Sequence, residues 1–412
     1  NIPTIGETAL AGVGVCGPIV TLITAFGSLV GIGGAPLMSI RLGEKDEKGA
    51  SQILANCFLL LSVISVVITA LSLLMKNKLL VWFGASTSIF PYADDYITIY
   101  LLGTIFALLS IGMNQFIICQ GFAKVAMKSV VLGAVVNIAL DPVFFFACGM
   151  GVRGGALATV LSQMASAGYV LLFLFGKKVP VPITFGGYQW RIMKRVILLG
   201  LSPFLIIAFD NVLIIAMNAS LQHFGGAEGD MLLTCNTIVQ SFMLMVTMPL
   251  GGITGGTQTI LGYNYGAKNR DRVKKAFRLL LTASLCYSTI LWAFIMLFPQ
   301  VFAEMFTSDS ALLGFTKSAL RIYCACLLLF GIQIACQMAF TSFGKAKASI
   351  AVAVTRKFIL LLPLIYLLPH ILTGNKTNAV YMAEPIADFL AVSFTTVLFT
   401  FQFRKVLKEL EG

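Results

Sequence analysis

Asn137 and Asp141 are two polar residues within a long apolar stretch of the chain. They are four residues apart, so a helix places both on one face, where they can bind one ligand. Asp141 lies about seven residues, or roughly 10 Å, from the end of that stretch, where a carboxylate in lipid usually marks an ion or proton path. Pro142 has no backbone N–H, which leaves the carbonyl of Ile138 without its helical donor. This group is therefore a candidate cation site.

The oxygen atoms of this group suit either of two cations. A carboxylate, an amide oxygen and a free carbonyl are ligands that sodium, a hard cation, prefers. Burial would instead favour the neutral form of Asp141 and make it a proton carrier. The alternative is a hydrogen-bond clamp between helices that does not titrate. We expect no other metal site, because His223 and His370 lie at segment ends without a partner.

The second half of the chain has three acids of its own within apolar stretches. Asp210 lies mid-stretch, and Glu384 and Asp388 are again four residues apart. They are candidates for a second cation-attracting site, and ion pairing with Arg356 or Lys357 is the alternative. Because we place those two bases nearer the cytoplasmic end, we expect the ionisable residues inside the bundle to be all acidic. An all-acidic interior favours cationic over anionic substrates.

Gln240 and Gln337 are candidate substrate contacts, since each is a polar residue within an apolar stretch. Met243, Met245 and Phe242 lie near Gln240 in the sequence. Flexible thioethers and aromatic faces adapt to varied flat cations. Ordinary helix packing is the alternative role for each methionine and phenylalanine.

The composition requires lipid as the solvent of these stretches. The 412 residues are 58% hydrophobic and 11% charged, with a mean hydropathy of +0.92, whereas soluble chains carry about 25% charged residues. We expect an all-α polytopic membrane protein with eleven transmembrane helices. The predicted segments are Glu7–Ile40, Gly49–Met75, Asp94–Phe122, Met127–Cys148, Gly154–Phe175, Arg195–Leu221, Gly229–Ile260, Val273–Phe298, Leu313–Phe343, Ala346–His370 and Asn378–Phe403.

The basic residues predict an orientation. With the Gly43–Lys48 loop placed in the cytoplasm, most of the 29 Lys and Arg fall on the cytoplasmic side. Six remain outside: Lys76, Lys78, Arg153, Lys317, Arg321 and Lys376. This asymmetry predicts a multi-pass protein of the cell (inner) membrane with a cytoplasmic C-terminus. Because the basic residues form short clusters rather than a stripe, the net charge of +12 does not indicate a nucleic-acid partner.

An internal repeat predicts the domain organisation. Gly33–Asp46 is similar to Gly256–Asn269 at an offset of 223 residues. Applied to the segment at 195–221, the offset places a counterpart upstream of residue 1, so we expect a first helix there. The expected fold is two six-helix bundles in a parallel pseudo-repeat, the first lacking that helix here. The predicted lobes are residues 1–175 and 195–412, joined by a cytoplasmic linker at 176–194.

Four segments resemble the multidrug and toxic compound extrusion (MATE) family, in the family's order and over essentially the whole chain. They are NIALDPVFFFACGMGVRGGALATVLSQ (Asn137–Gln163), GGAPLMSIRLGEKD (Gly33–Asp46), LGYNYGAKNRDRV (Leu261–Val273) and AEPIAD (Ala383–Asp388). The resemblance implies two lobes of six helices, a central cavity, and drug export coupled to proton or sodium entry. It implies a secondary antiporter for small amphiphilic cations, with no enzymatic activity and no cofactor; we expect a monomer.

The resemblance also implies residue roles. The family's cation site in the first lobe matches Asn137, Asp141 and Thr159, which would hold the proton or sodium ion. Tyr96 and Asn114 match polar cavity positions. The family's remaining acid, on its first helix, would lie upstream of residue 1.

Three other functions are less consistent with the sequence. A lipid-linked oligosaccharide flippase of related fold is the main alternative, but it should carry buried Arg or Lys for its anionic pyrophosphate. An intramembrane enzyme is disfavoured because the chain has no HExxH, GxSxG or paired-aspartate protease motif. A channel fits two homologous lobes less well than alternating access does.

Overall fold

The computed structural model describes residues 3–372 and 374–411, and within them every regular element is helical. The α-helices are α1 (Pro3–Gly43), α2 (Glu47–Trp82), α3 (Phe90–Leu102), α4 (Thr104–Cys119), α5 (Ala123–Pro142), α6 (Val152–Leu174), α7 (Trp190–Gly225), α8 (Gly229–Gly266), α9 (Arg270–Leu297), α10 (Pro299–Glu304), α11 (Ser310–Tyr323), α12 (Leu327–Ser342), α13 (Ala346–Val354), α14 (Leu362–Ile371) and α15 (Lys376–Glu409). Two π-helical segments interrupt the series, Val143–Ala147 after α5 and Thr355–Leu361 between α13 and α14. The all-α membrane fold is confirmed.

Most of the chain lies in helices that are long enough to span a membrane. Within the described residues, eight helical stretches are long and apolar enough to cross a bilayer, or ten if each bent pair forms one span. The bent pairs are α3 with α4, at 55°, and α11 with α12, at 50°. One of the eight, Trp190–Gly266, contains two helices, α7 and α8. The count of eleven spans stays a prediction.

The backbone repeats a turn at the predicted offset. Lys45, between α1 and α2, has φ 62°, and Lys268, between α8 and α9, has φ 52°. They are the only non-glycine residues with positive φ in the part of the chain that the structure describes. The side chain of the next residue caps the following helix in both turns: Asp46 accepts from the Gly49 N–H at 2.9 Å, and Asn269 accepts from the Arg272 N–H at 3.1 Å. The similarity of the two segments therefore reflects one helix–turn–helix geometry used twice.

The chain forms two compact units, Asn1–Ile207 and Ala208–Gly412, and the boundary lies inside α7. The first part of α7 belongs to the first unit because it crosses α1 in direct backbone contact. A Cβ added to Gly200 would meet the Leu29 carbonyl oxygen, and one added to Gly33 would meet that of Val196. Glycines at both positions permit this approach.

The predicted linker at 176–194 packs against the first unit. Val179, Val181 and Ile183 are buried. The Val181 N–H donates to the Gln120 side chain at 2.9 Å, and the Asn56 amide donates to the Gly187 carbonyl at 3.2 Å. These contacts attach the segment to α2 and α4. The assignment of residues 1–175 and 195–412 to separate lobes stays a prediction.

Candidate functional site

The predicted cation site in the first unit lies where α5 stops being a regular α-helix. Asp141 is the penultimate residue of α5, and the π-helical segment begins directly after Pro142. Asn137 lies one turn earlier, and both side chains are half-buried. Among the described residues, neither side chain forms a hydrogen bond or ion pair. The structure therefore gives no support to the hydrogen-bond clamp, and it leaves the oxygens of both side chains available to a ligand.

Two further helices contribute hydroxyl groups to this region, and one of these groups, that of Tyr96, is related directly to Asp141. Thr159 lies on α6 and Tyr96 on α3, and their side chains are within hydrogen-bonding reach of each other. Tyr96 also lies near the Asp141 carboxylate. The Thr159 hydroxyl donates to the Gly155 carbonyl at 3.0 Å, so its lone pairs stay free to accept or to bind a cation.

Asn114 does not join this group. Its side-chain oxygen accepts a hydrogen bond from the Ser129 hydroxyl at 3.2 Å. Ser129 precedes Asp141 by twelve residues on α5, which is about 18 Å along the axis. The resemblance identified a polar position on α4, but the helix geometry places it well away from Asp141.

An ion pair that the sequence analysis did not identify joins α3 to α6 beside the site. Arg153 donates to the Asp95 carboxylate at 2.9 Å, and Asp95 directly precedes Tyr96. Because these residues are 58 positions apart in the sequence, no local pattern indicates the pair. It lies at the start of α6, in the helix that carries Thr159.

The predicted acids of the second unit form a buried charge cluster with two bases. The Arg356 Nε donates to Asp388 at 2.7 Å, and its Nη2 donates to Glu384 at 2.8 Å. All three residues are buried, with exposed fractions of 7%, 6% and 4%. The Phe330 ring lies 5.0 Å from the guanidinium carbon. One guanidinium thus binds both α15 carboxylates in a geometry that only arginine can supply.

The remaining base and acid form a second pair nearer the surface. The Lys357 ammonium contacts the Asp210 carboxylate at 2.5 Å. The Lys357 side chain is only 11% exposed, whereas that of Asp210 is 46% exposed. Phe209 and Phe358, the sequence neighbours of the pair, stack with ring centroids 5.4 Å apart. Phe358 is half-exposed, so the surface presents a carboxylate beside an aromatic face.

The expectation that the ionisable residues inside the bundle are all acidic was wrong. Arg356 and Lys357 lie about 15 Å along the helical run that starts at Ala346, and both are buried against acids. Both fall in the π-helical segment Thr355–Leu361, which changes the helical phase so that two adjacent side chains point inward. The cluster holds three acids and two bases, so it retains one carboxylate in excess.

The two predicted glutamines lie in different surroundings. The Gln240 amide is within 3.5 Å of both the Tyr323 hydroxyl and the Asn236 side-chain oxygen, between α8 and α11. Gln337 lies seven residues beyond Phe330 on α12, or about 10 Å along the axis. The structure brings Gln240 into a hydrogen-bonded polar group with α11, and it places Gln337 on α12, about two turns beyond Phe330.

Comparison with known proteins identifies the family of this chain, two relatives and a solved structure with a similar fold. The family model MatE matches residues 2–143 and 207–367, which is more than half of the chain. The multidrug export protein MepA of Staphylococcus haemolyticus is 22% identical over 386 residues, or 91% of this chain and 82% of the relative. The FAD transporter of Shewanella oneidensis is 24% identical over 399 residues, or 94% and 86%. A crystal structure of a MATE in the bent conformation superposes with a TM-score of 0.93 at 24% identity, covering 100% of this chain and 91% of that one.

Proposed function

The chain belongs to the MatE family of multidrug efflux transporters, which are not enzymes, and we propose that it is an antiporter exporting lipophilic organic cations in exchange for protons or sodium. Alternating access of two homologous units would carry the exchange. The observation that carries this proposal is the environment of Asp141, an acid within a membrane-spanning stretch. Among the described residues it has no hydrogen-bond or ion-pair partner, unlike the three acids of the charge cluster.

The arrangement around Asp141 supports ion coupling. A carboxylate at this depth is unfavourable unless it is neutralised. Asn137 and Thr159 supply neutral oxygens nearby, and the chain supplies no cation there within the described residues. Asp141 therefore takes its neutralising charge from solution, as a proton on the carboxylate or as sodium held between these oxygens.

The arrangement around Asp210 supports a cationic substrate. Asp210 lies near the middle of the 36-residue helix α7, and nearly half of its side chain is exposed. An ionised side chain so exposed at mid-helix cannot face lipid, so this face of the second unit borders water. A flat cation there would contact the carboxylate and the Phe358 ring together.

A second candidate substrate follows from the FAD transporter relative, since a flavin dinucleotide also combines aromatic rings with charge. It would need bases for its pyrophosphate, as would the substrate of a lipid-linked oligosaccharide flippase. In the charge cluster both bases are already paired with acids. The cluster contains three acids and only two bases, and this excess of negative charge favours an organic cation over a flavin dinucleotide.

Transport in proteoliposomes tests the proposal. Purified protein is reconstituted, an inward proton or sodium gradient is imposed, and efflux of a fluorescent lipophilic cation such as ethidium is followed with and without excess FAD. We expect one of the two gradients to drive cation efflux that FAD does not inhibit. Cation efflux that is independent of both gradients would overturn the antiporter, and gradient-driven FAD transport without cation transport would overturn the substrate class.

We also propose that the protein acts as a monomer with its C-terminus in the cytoplasm. The basic residues of the turns and of the α15 end support this orientation. Cys148 is already exposed, so an impermeant thiol reagent applied to intact cells should label the chain equally with and without a cysteine added after residue 412. Additional labelling of the added cysteine without lysis would reverse the orientation.

A further inference from the structure

The first unit contains a cavity of about 380 Å³ between the end of α1, the start of α2 and the start of α7. The two helices touch at Gly33 and Gly200. The cavity lies beyond this crossing, where Arg41 is in the last turn of α1 and Arg191 is in the first turn of α7. These residues are eight and nine positions from the crossing, or about 12–14 Å along each helix. The cavity therefore lies at the ends of the two helices, beyond their point of contact.

Three guanidinium groups line this cavity. Arg41 forms ion pairs with Glu44 at 2.9 Å and with Asp46 at 3.3 Å. Arg191 and Arg195 are four residues apart in the first turns of α7, and both line the cavity. Neither forms an ion pair with any residue that the structure describes. Glu44 also lines the cavity, so the three arginines and the two acids paired with Arg41 leave one positive charge in excess, at the positive end of the α7 dipole.

Exposed aromatic residues indicate the depth of the cavity in the membrane. Phe185, Tyr188 and Trp190 lie just before α7 and at its first residue, with exposed fractions of 74%, 45% and 68%. Exposed Trp and Tyr concentrate at the level of the lipid headgroups. This observation is independent of the arginines, and it places their side chains at headgroup depth.

We propose that this cavity binds the headgroup phosphate of an anionic phospholipid such as phosphatidylglycerol. Arg191 and Arg195 would bind the phosphate oxygens, because a guanidinium matches a phosphate through two parallel hydrogen bonds. Leu37, Ile40 and Ile192 also line the cavity, and they provide an apolar wall for the glycerol and the first acyl carbons. Basic pockets between membrane helices commonly hold such headgroups. The site is separate from Asp141 and from the charge cluster, and it does not depend on the proposed function.

Native mass spectrometry of the detergent-purified chain tests this proposal. The protein is titrated with phosphatidylglycerol and, in parallel, with phosphatidylcholine of the same acyl chains. We expect one phosphatidylglycerol to bind more tightly than any phosphatidylcholine. In the double variant Arg191→Gln/Arg195→Gln, the half-saturating concentration should rise about tenfold or more.

The matched control is Lys177→Gln/Lys178→Gln, which removes the same charge from the nearby segment without touching the cavity lining. It should change half-saturation less than about twofold, because these two lysines do not line the cavity. Ile40→Trp keeps every charge but fills the cavity, and it should exclude the lipid as well. Equal losses in the control and in the arginine variant would overturn the site, as would unchanged binding in both Ile40→Trp and the arginine variant. Displacement of the lipid by excess inorganic phosphate would assign the site to free phosphate and overturn the lipid.

Discussion

The two units differ in how their intramembrane acids are neutralised. In the first unit, Asp141 lies beside a π-helical segment and has no fixed cation among the described residues. In the second, a π-helical segment carries Arg356 and Lys357 into contact with three acids. A π-helical segment thus lies beside an unpaired carboxylate in the first unit, and another carries two paired basic residues in the second unit. Under the proposed function Asp141 would take its cation from solution, whereas the acids of the second unit already have cations supplied by the chain.

The largest expected effect concerns the stability of the second unit. Arg356→Gln removes the one guanidinium that both α15 acids share, and it leaves buried carboxylates without compensation. We expect a loss of about 3–5 kcal/mol in the free energy of unfolding, measured by denaturation in detergent. The matched variant of the first unit, Asp141→Asn, should lose less than about 1 kcal/mol, because the amide replaces a group without fixed partners.

A compensating change sharpens this prediction. Adding Asp388→Asn to Arg356→Gln removes one of the two carboxylates that lost their partner, and it should restore part of the stability. If Arg356→Gln alone unfolds at the wild-type denaturant concentration, the charge cluster does not hold the second unit together.

A smaller effect is expected at the surface of the same cluster. Asp210→Asn should raise the dissociation constant for a flat organic cation about tenfold, because the exposed carboxylate no longer attracts it. Binding of a neutral analogue of the same shape should change little. Asp388→Asn is the control, since Asp388 is 6% exposed and is bound to Arg356. Equal losses for cation and neutral analogue in Asp210→Asn would mean that Asp210 acts on packing alone.

The smallest effect is expected at Thr159. Thr159→Ala removes one neutral oxygen near Asp141, which corresponds to about 1 kcal/mol, or roughly fivefold in the concentration of coupling ion needed for half-maximal efflux. Thr159→Ser keeps the hydroxyl and should stay near the wild type. If the two variants shift the ion dependence equally, the Thr159 hydroxyl does not contribute to the site.

The sequence predicted those features that depend on local pattern. Long apolar runs predicted the helices, and the repeated segment at offset 223 predicted the turns in which Lys45 and Lys268 share positive φ. The spacing of Asn137 and Asp141 predicted their common face. What it could not predict depends on helical phase and on contacts between distant segments. The π-helical turn that buries Arg356 beside Lys357 leaves no periodic signal, and the ion pair of Arg153 with Asp95 forms only once α3 and α6 pack.

The difference between the two units is tested most directly by comparing Asp141→Asn with Asp388→Asn in proteoliposomes. Both variants replace a membrane-embedded carboxylate by its amide, and only the first removes an acid without a fixed cation. Efflux of the fluorescent cation is measured under imposed proton and sodium gradients, with the amount of folded protein matched. Asp141→Asn should lose gradient-driven efflux while Asp388→Asn retains it. Wild-type efflux by Asp141→Asn under both gradients would contradict the assignment of Asp141 as the coupling residue.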